Sequence, residues 1–159
     1  MLELTYEELL IVQTGLNKIA LLSEDKDSKI EFKIKWRGSR IVKKFQPELQ
    51  SYTEIRQELL KKYGTEIFIE NKEKFDENKK PILESTGQYN LGKNTEIYNT
   101  EIKKLLKEKV TLEGSVYKFK LSELKDIPGL SQNDYVSLDP ILEIDVDVDY
   151  NPTELDKTQ

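Results

Sequence analysis

The side chains with the most chemical potential fall into two sets. The first is a basic run, Lys33, Lys35, Arg37, Arg40, Lys43 and Lys44, interleaved with Phe32, Trp36 and Phe45. Cations that hold phosphates and rings that stack bases are the equipment of a single-strand nucleic-acid binder. An amphipathic helix gives the same pattern when its cations face solvent and its rings enter the core. Trp36 is the only tryptophan. It fits either the core, the commoner place for Trp, or an interface, where Trp and Arg are enriched. The candidate partner-binding residues are therefore Trp36, Arg37, Arg40, Lys43 and Lys44. They suit an acidic partner, the chain's own acidic end or, less favoured, nucleic acid.

The second set is Asp145, Asp147 and Asp149, three acids at alternate positions. Acids so spaced open a calcium loop, where they converge on a hard cation. The next position needs a glycine for the sharp turn and is Tyr150, Pro152 follows, and the twelfth position is Asp156 rather than Glu. These departures favour an acidic tail or an added edge strand. The three aspartates are the only metal candidates, and no cofactor is expected.

The chain has no Cys and no His. Thiolate catalysis, disulfides, Ser-His-Asp triads and zinc sites built on His or Cys are excluded. Carboxylate and lysine chemistry with magnesium remains, but Glu7/Glu8, Glu54/Glu58 and Glu96/Glu101 sit where helix surfaces carry charge. Lys72, Lys74, Lys79 and Lys80 alternate with acids, lack a phosphate-cradling glycine pattern, and read as a solvated loop. The chain is read as a non-enzyme.

Charge is unevenly placed. From Glu143 to Gln159 there are six acids and one base, which accounts for the whole net charge of −5. Residues 1–142 carry 24 bases and 24 acids, without the positive excess usual in nucleic-acid binders. The expected organisation is one helix-rich domain over 1–142 and an acidic C-terminal tail over 143–159. No apolar run reaches membrane length and the N-terminus lacks a signal-peptide pattern, so no membrane partner is expected.

Several elements are needed to position these residues. Leu2 and Leu4 suit a short strand, and Thr5-Tyr-Glu-Glu8 is a capping box for a helix to Leu22. Ile30, Phe32, Ile34 and Trp36 alternate like a strand. Yet Ile30, Ile34, Ile41, Phe45, Leu49, Tyr52, Leu59 and Tyr63 fit one helical stripe. The stripe predicts a long second helix, kinked near Pro47 and ending at Gly64. Short apolar patches at 66–69, 81–83 and 88–91 fit a small hairpin or an irregular excursion. A third helix is predicted over 96–109 with Ile97, Ile102, Leu105 and Leu106 inward. A strand is expected over 116–121, paired with Leu2–Leu4. A short helix from Ser131 carries Val136, Leu138, Ile141 and Leu142. The predicted class is α+β, mainly α: a long antiparallel helical hairpin, a third helix and a minimal β element.

This order of features resembles a family of small proteins of unknown function from tailed bacteriophages and prophages. The likeness rests on the capped first helix and on Arg40-Ile-Val-Lys-Lys-Phe-Gln-Pro-Glu-Leu-Gln-Ser-Tyr52. It also rests on Ile55-Arg-Gln-Glu-Leu-Leu-Lys-Lys-Tyr-Gly64, the Asp76-Glu-Asn78 turn, Glu101…Leu105-Leu106, Tyr117–Leu124 and Leu138-Asp-Pro-Ile-Leu142. Lys79 stands where the family often has the turn glycine. The resemblance implies a phage origin and a helical hairpin, and carries over no catalytic residue. The leading expectation is a non-catalytic, phage-encoded binding or assembly protein, including a virion component. Its partner would be a phage or host protein, in the host-cell cytoplasm or in the particle, with self-association open. The alternatives are a host-directed inhibitor of a nucleic-acid enzyme, of the anti-defence type, and a single-strand nucleic-acid-binding protein.

Overall fold

The structure is a computed structural model that describes residues 1–25 and 30–145. Helices hold 57% and strands 23% of the described residues, so the chain is α+β with helix dominant. In chain order the elements are β1 (Leu2–Thr5), α1 (Tyr6–Glu24), α2 (Phe32–Tyr63), β2 (Thr65–Phe75) and β3 (Pro81–Asn90). They continue with α3 (Thr95–Leu106), β4 (Lys109–Leu112), β5 (Phe119–Lys120), α4 (Leu121–Leu124), α5 (Gln132–Leu138) and β6 (Leu142–Glu143).

Two compact units divide the chain. The first comprises Met1–Leu2, Leu10–Phe45 and Leu112–Gln159; the second comprises Glu3–Leu9 and Gln46–Thr111. The boundary within α2 falls two residues before Pro47. Proline has no N–H to donate, so the Lys43 carbonyl there lacks its helical partner.

In the first unit, apolar residues at helical spacing enter a dense core. Val12, Leu16 and Ile19 of α1 are buried, as are Ile34, Ile41 and Phe45 of α2. Leu112, Phe119, Leu124, Leu138 and Ile141 complete it, and the last four have no exposed surface at all. Gly15 lies where a methyl group would come 2.7 Å from the Leu138 side chain, so only glycine fits there. Ser131 and Asp134 cap α5 reciprocally: the Ser131 N–H donates to the carboxylate at 2.7 Å and the Asp134 N–H to the hydroxyl at 3.3 Å.

Three expectations for this unit change. The strand expected over 116–121 shrinks to Phe119–Lys120, because Leu121 already begins α4. Its neighbour is β6, parallel, with Phe119 opposite Leu142 and Lys120 opposite Glu143, rather than Leu2–Leu4. Alternation over 116–121 did encode the inward direction of Phe119, but a helical turn takes over once Leu124 can be buried. Val136, expected inward, is 66% exposed, while Leu138 and Ile141 fill the core.

The second unit is thinner. Its buried residues are Leu4, Tyr6, Leu9, Tyr98, Leu105 and Val110. The capping box forms as expected. The Thr5 N–H donates to Glu8 Oε2 at 2.7 Å, and the Glu8 N–H donates to Thr5 Oγ1 at 3.2 Å. These bonds hold the Glu8 carboxyl below its ordinary range, the backbone bond from Thr5 contributing most. The Tyr6 and Tyr52 rings meet at 5.5 Å, and Lys109 pairs with Glu3 at 2.6 Å.

The second unit also departs from expectation. α3 stops at Leu106, and Lys109–Leu112 forms β4, which pairs with β1. Ile97 faces out, 51% exposed, and Tyr98 takes the inward place with Leu105. Only the first position of the predicted stripe moves, from 97 to 98; Leu105 is buried as predicted, and Ile102 and Leu106 are half-buried. The segment read as a solvated loop is largely strand: β2 and β3 form one antiparallel ribbon, with Ile69 opposite Glu84, Glu70 opposite Leu83 and Asn71 opposite Ile82. Glu70–Lys74 lacks alternation; Glu70 and Asn71 are paired across the ribbon, the register breaks after Asn71, and pairing resumes at Phe75 opposite Pro81. The turn is built by Asp76, whose carboxylate accepts from the N–H groups of Asn78 and Lys80 at 2.9 and 2.8 Å. Lys79 sits there at φ 59°.

Candidate interaction face on the second helix

Trp36, Arg40, Lys43 and Lys44 follow the i, i+4, i+7, i+8 spacing that puts side chains on one helical stripe. Ile34, Ile41 and Phe45 anchor the same helix in the core. Burial of those three leaves the cations in solvent, which is the amphipathic logic expected of this sequence.

The stripe is completed by a segment that the periodicity did not associate with it. Tyr117 lies edge-on to Trp36, with ring centroids 5.0 Å apart and planes at 72°. Edge-to-face packing suits the ring quadrupoles. On the same indole, the Arg40 guanidinium carbon lies 5.2 Å from the ring centroid, a cation–π contact. Lys44 Nζ donates to the Glu113 carbonyl at 3.0 Å, tying α2 to the segment that carries Tyr117. That segment turns at Gly114, whose φ of 76° is a conformation glycine adopts readily. Arg40, Lys43, Lys44, Ser115 and Tyr117 line a cavity of about 330 Å³.

Trp36 is 39% exposed and Tyr117 43%. Trp36 is therefore at the surface, and the core alternative for it fails. Its indole is held by neighbours yet keeps accessible area. Among the described residues, Arg40, Lys43 and Lys44 make no ion pair with a carboxylate.

Arg37 differs from the other four candidates. It pairs with Glu123, and Lys33 reaches the same carboxylate at 3.4 Å and Glu31 at 3.1 Å. The Glu123 side chain is only 12% exposed. Burial opposes its charged form, but the Lys120 N–H, the Arg37 charge and the bonds from Lys33 and Arg37 outweigh that, and its pKa falls below the ordinary value. Arg37 and Lys33 thus join α2 to α4, a structural task. The basic run separates into cations already paired and cations still available. Tyr117 and Ser115 were missed because a contact across some 80 residues of chain leaves no periodic trace.

Asp145 accepts from the Ser122 hydroxyl at 2.5 Å and from its N–H at 3.0 Å, and these bonds lower its pKa. Asp147 and Asp149 lie outside the described residues. Among the described residues no three acids gather into a metal-binding group. A larger cavity of about 540 Å³ sits at the base of the ribbon, lined by Tyr63, Thr65, Glu66, Ile67 and residues 90–94. Glu66 and Lys93 are its only charged residues, and Lys62 Nζ lies 5.1 Å from the centroid of the Tyr63 ring in its wall. No described helix is long and apolar enough to cross a membrane. Searches against family models, curated proteins and solved structures found no match for this chain.

Proposed function

We propose that this chain is a non-catalytic, phage-encoded binding protein acting in virion assembly or within the particle, and that α1 and α2 form its long antiparallel hairpin. The observation that carries the reading is the α2 face. Arg40 and Lys43 stand in solvent beside an exposed indole, with no carboxylate partner among the described residues. Cations next to a rigid exposed ring are the anchors of a docking surface. A chain without His or Cys also lacks the commonest proton-transfer and nucleophilic groups. The phage resemblance supplies the setting.

The test is sedimentation of purified particles from infected or induced cells, followed by mass spectrometry. The chain is expected in the particle fraction, with several-fold less of the Arg40→Glu/Lys43→Glu double variant. Wild-type protein found wholly in the free soluble fraction would overturn the assembly role.

A further inference from the structure

We infer that the face formed by Trp36, Arg40, Lys43, Ser115 and Tyr117 binds single-stranded nucleic acid, holding phosphates with the cations and stacking an unpaired base on the exposed aromatic surface. This rests on the reading above that α2 carries the docking face, and it names the chemistry of the occupant.

Three features converge on that chemistry. Arg40 and Lys43 project from one stripe of α2 and carry no ion pair with a described carboxylate, so each can take a backbone phosphate. Trp36 and Tyr117 expose 39% and 43% of their surfaces beside those cations. A ligand that offered only negative charge would gain nothing from them. A flat base gains stacking, the interaction that single-strand binders use without regard to sequence. The cavity of about 330 Å³ is at the lower end of small-molecule sites and suits one or two nucleotide units rather than a folded surface. Its wall also offers the Ser115 and Tyr117 hydroxyls, which can donate to phosphate or sugar oxygens.

The geometry also bounds the site. Lys33 and Arg37 belong to Glu123 and are excluded from it, although the sequence makes them part of the same basic run. Lys44 spends its ammonium on the Glu113 carbonyl and positions the Tyr117 segment. Duplex DNA is disfavoured, because its bases are stacked on each other and unavailable to the rings.

The lone tryptophan makes the test direct. Full-length protein is titrated with a thymidine oligonucleotide of about 20 residues, following Trp36 fluorescence and, with a labelled strand, anisotropy. The expected result is quenching of Trp36 with saturable binding. The logarithm of affinity should fall against that of salt with a slope of about −1.4, from two phosphates at roughly −0.7 each for single strands. Trp36→Ala and Tyr117→Ala should each weaken anisotropy-detected binding about tenfold, within the range measured for base stacking. Arg40→Ala/Lys43→Ala should flatten the salt slope.

Lys74→Ala, which removes a cation of the ribbon paired with Glu84 at 2.9 Å, should change nothing. Circular dichroism of each variant shows that it has folded. Equal binding of an abasic strand of the same length would overturn the inference, as would equal binding of duplex or an equal effect of Lys74→Ala. Failure of the oligonucleotide, with Trp36 quenched instead by polyglutamate, would make the face a site for acidic protein. That would sink the inference and leave the proposed function standing. If the chain is also missing from particles, both fall.

Discussion

The basic face of α2 and the β2–β3 ribbon are both exposed, both rich in charge, and physically unlike. The α2 face stands on a dense core: Ile34, Ile41 and Phe45 are at most 2% exposed directly beneath a stripe of cations. The ribbon has no such foundation. Phe68 is 51% exposed, Ile69 57%, Phe75 56% and Leu83 62%, so apolar side chains on both of its faces meet water. A two-stranded ribbon has marginal stability of its own. A rigid base keeps Trp36, Arg40 and Tyr117 in one arrangement before any ligand arrives, which lowers the ordering cost of binding. The ribbon offers hydrophobic area without that preorganisation.

The sharpest way to break this comparison is to truncate one ring in each region. Phe45→Ala removes a side chain with 1% exposure and should cost about 3–5 kcal/mol. Phe68→Ala in the ribbon should change stability by no more than about 0.5 kcal/mol, as exposed substitutions usually do. Urea denaturation of both variants measures the difference. Equal losses would mean that the ribbon is as firmly founded as α2.

A smaller effect is expected at Glu123. Glu123→Gln leaves Arg37 and Lys33 without their anion and should cost about 2 kcal/mol at neutral pH, typical of hydrogen bonds to charged groups. The sign of its pH dependence follows from the lowered pKa. A carboxylate with a depressed folded value contributes fully above the ordinary carboxylate range, and its contribution vanishes as pH falls through the folded value. Wild type should therefore lose stability on acidification below that range more steeply than Glu123→Gln does. Parallel acid-unfolding profiles would count against the pairing.

The smallest effect belongs to the ribbon turn. Lys79 holds φ 59°, a left-handed conformation that costs an L residue about 1–2 kcal/mol. Glycine is free of that penalty but loses more chain entropy on folding. Lys79→Gly should stabilise the ribbon by about 0.5 kcal/mol, read as slower amide exchange at residues 75–80. Faster exchange there would show that the turn is held by something other than its backbone conformation.

Much of the helical fold was legible because its signals are local. Thr5 and Glu8 encode a reciprocal cap four residues long, and Ile34, Ile41 and Phe45 repeat at the helical period, enough to override the strand-like alternation of Ile30–Trp36. The strands were harder to read. Lys109–Leu112 has too few residues to display a pattern, and Lys72–Lys74 is entirely charged and lies in the register irregularity between the Asn71 and Phe75 pairings. The candidate face was half legible: the cations were evident, but which of them are engaged was not. Lys33 and Arg37 differ from Arg40 and Lys43 only in having Glu123 nearby, a residue about 90 positions further along.

The sequence by itself determined the length and amphipathic character of α2, the caps of α1 and α5, and the absence of imidazole and thiol chemistry. These follow from composition and from interactions within a few residues. Only the tertiary structure decided that Tyr117 would support Trp36, that Glu123 would claim Arg37, and that Lys44 would hold the intervening segment. Each of those contacts joins residues distant in the chain, and their energies depend on burial and geometry that no local pattern specifies.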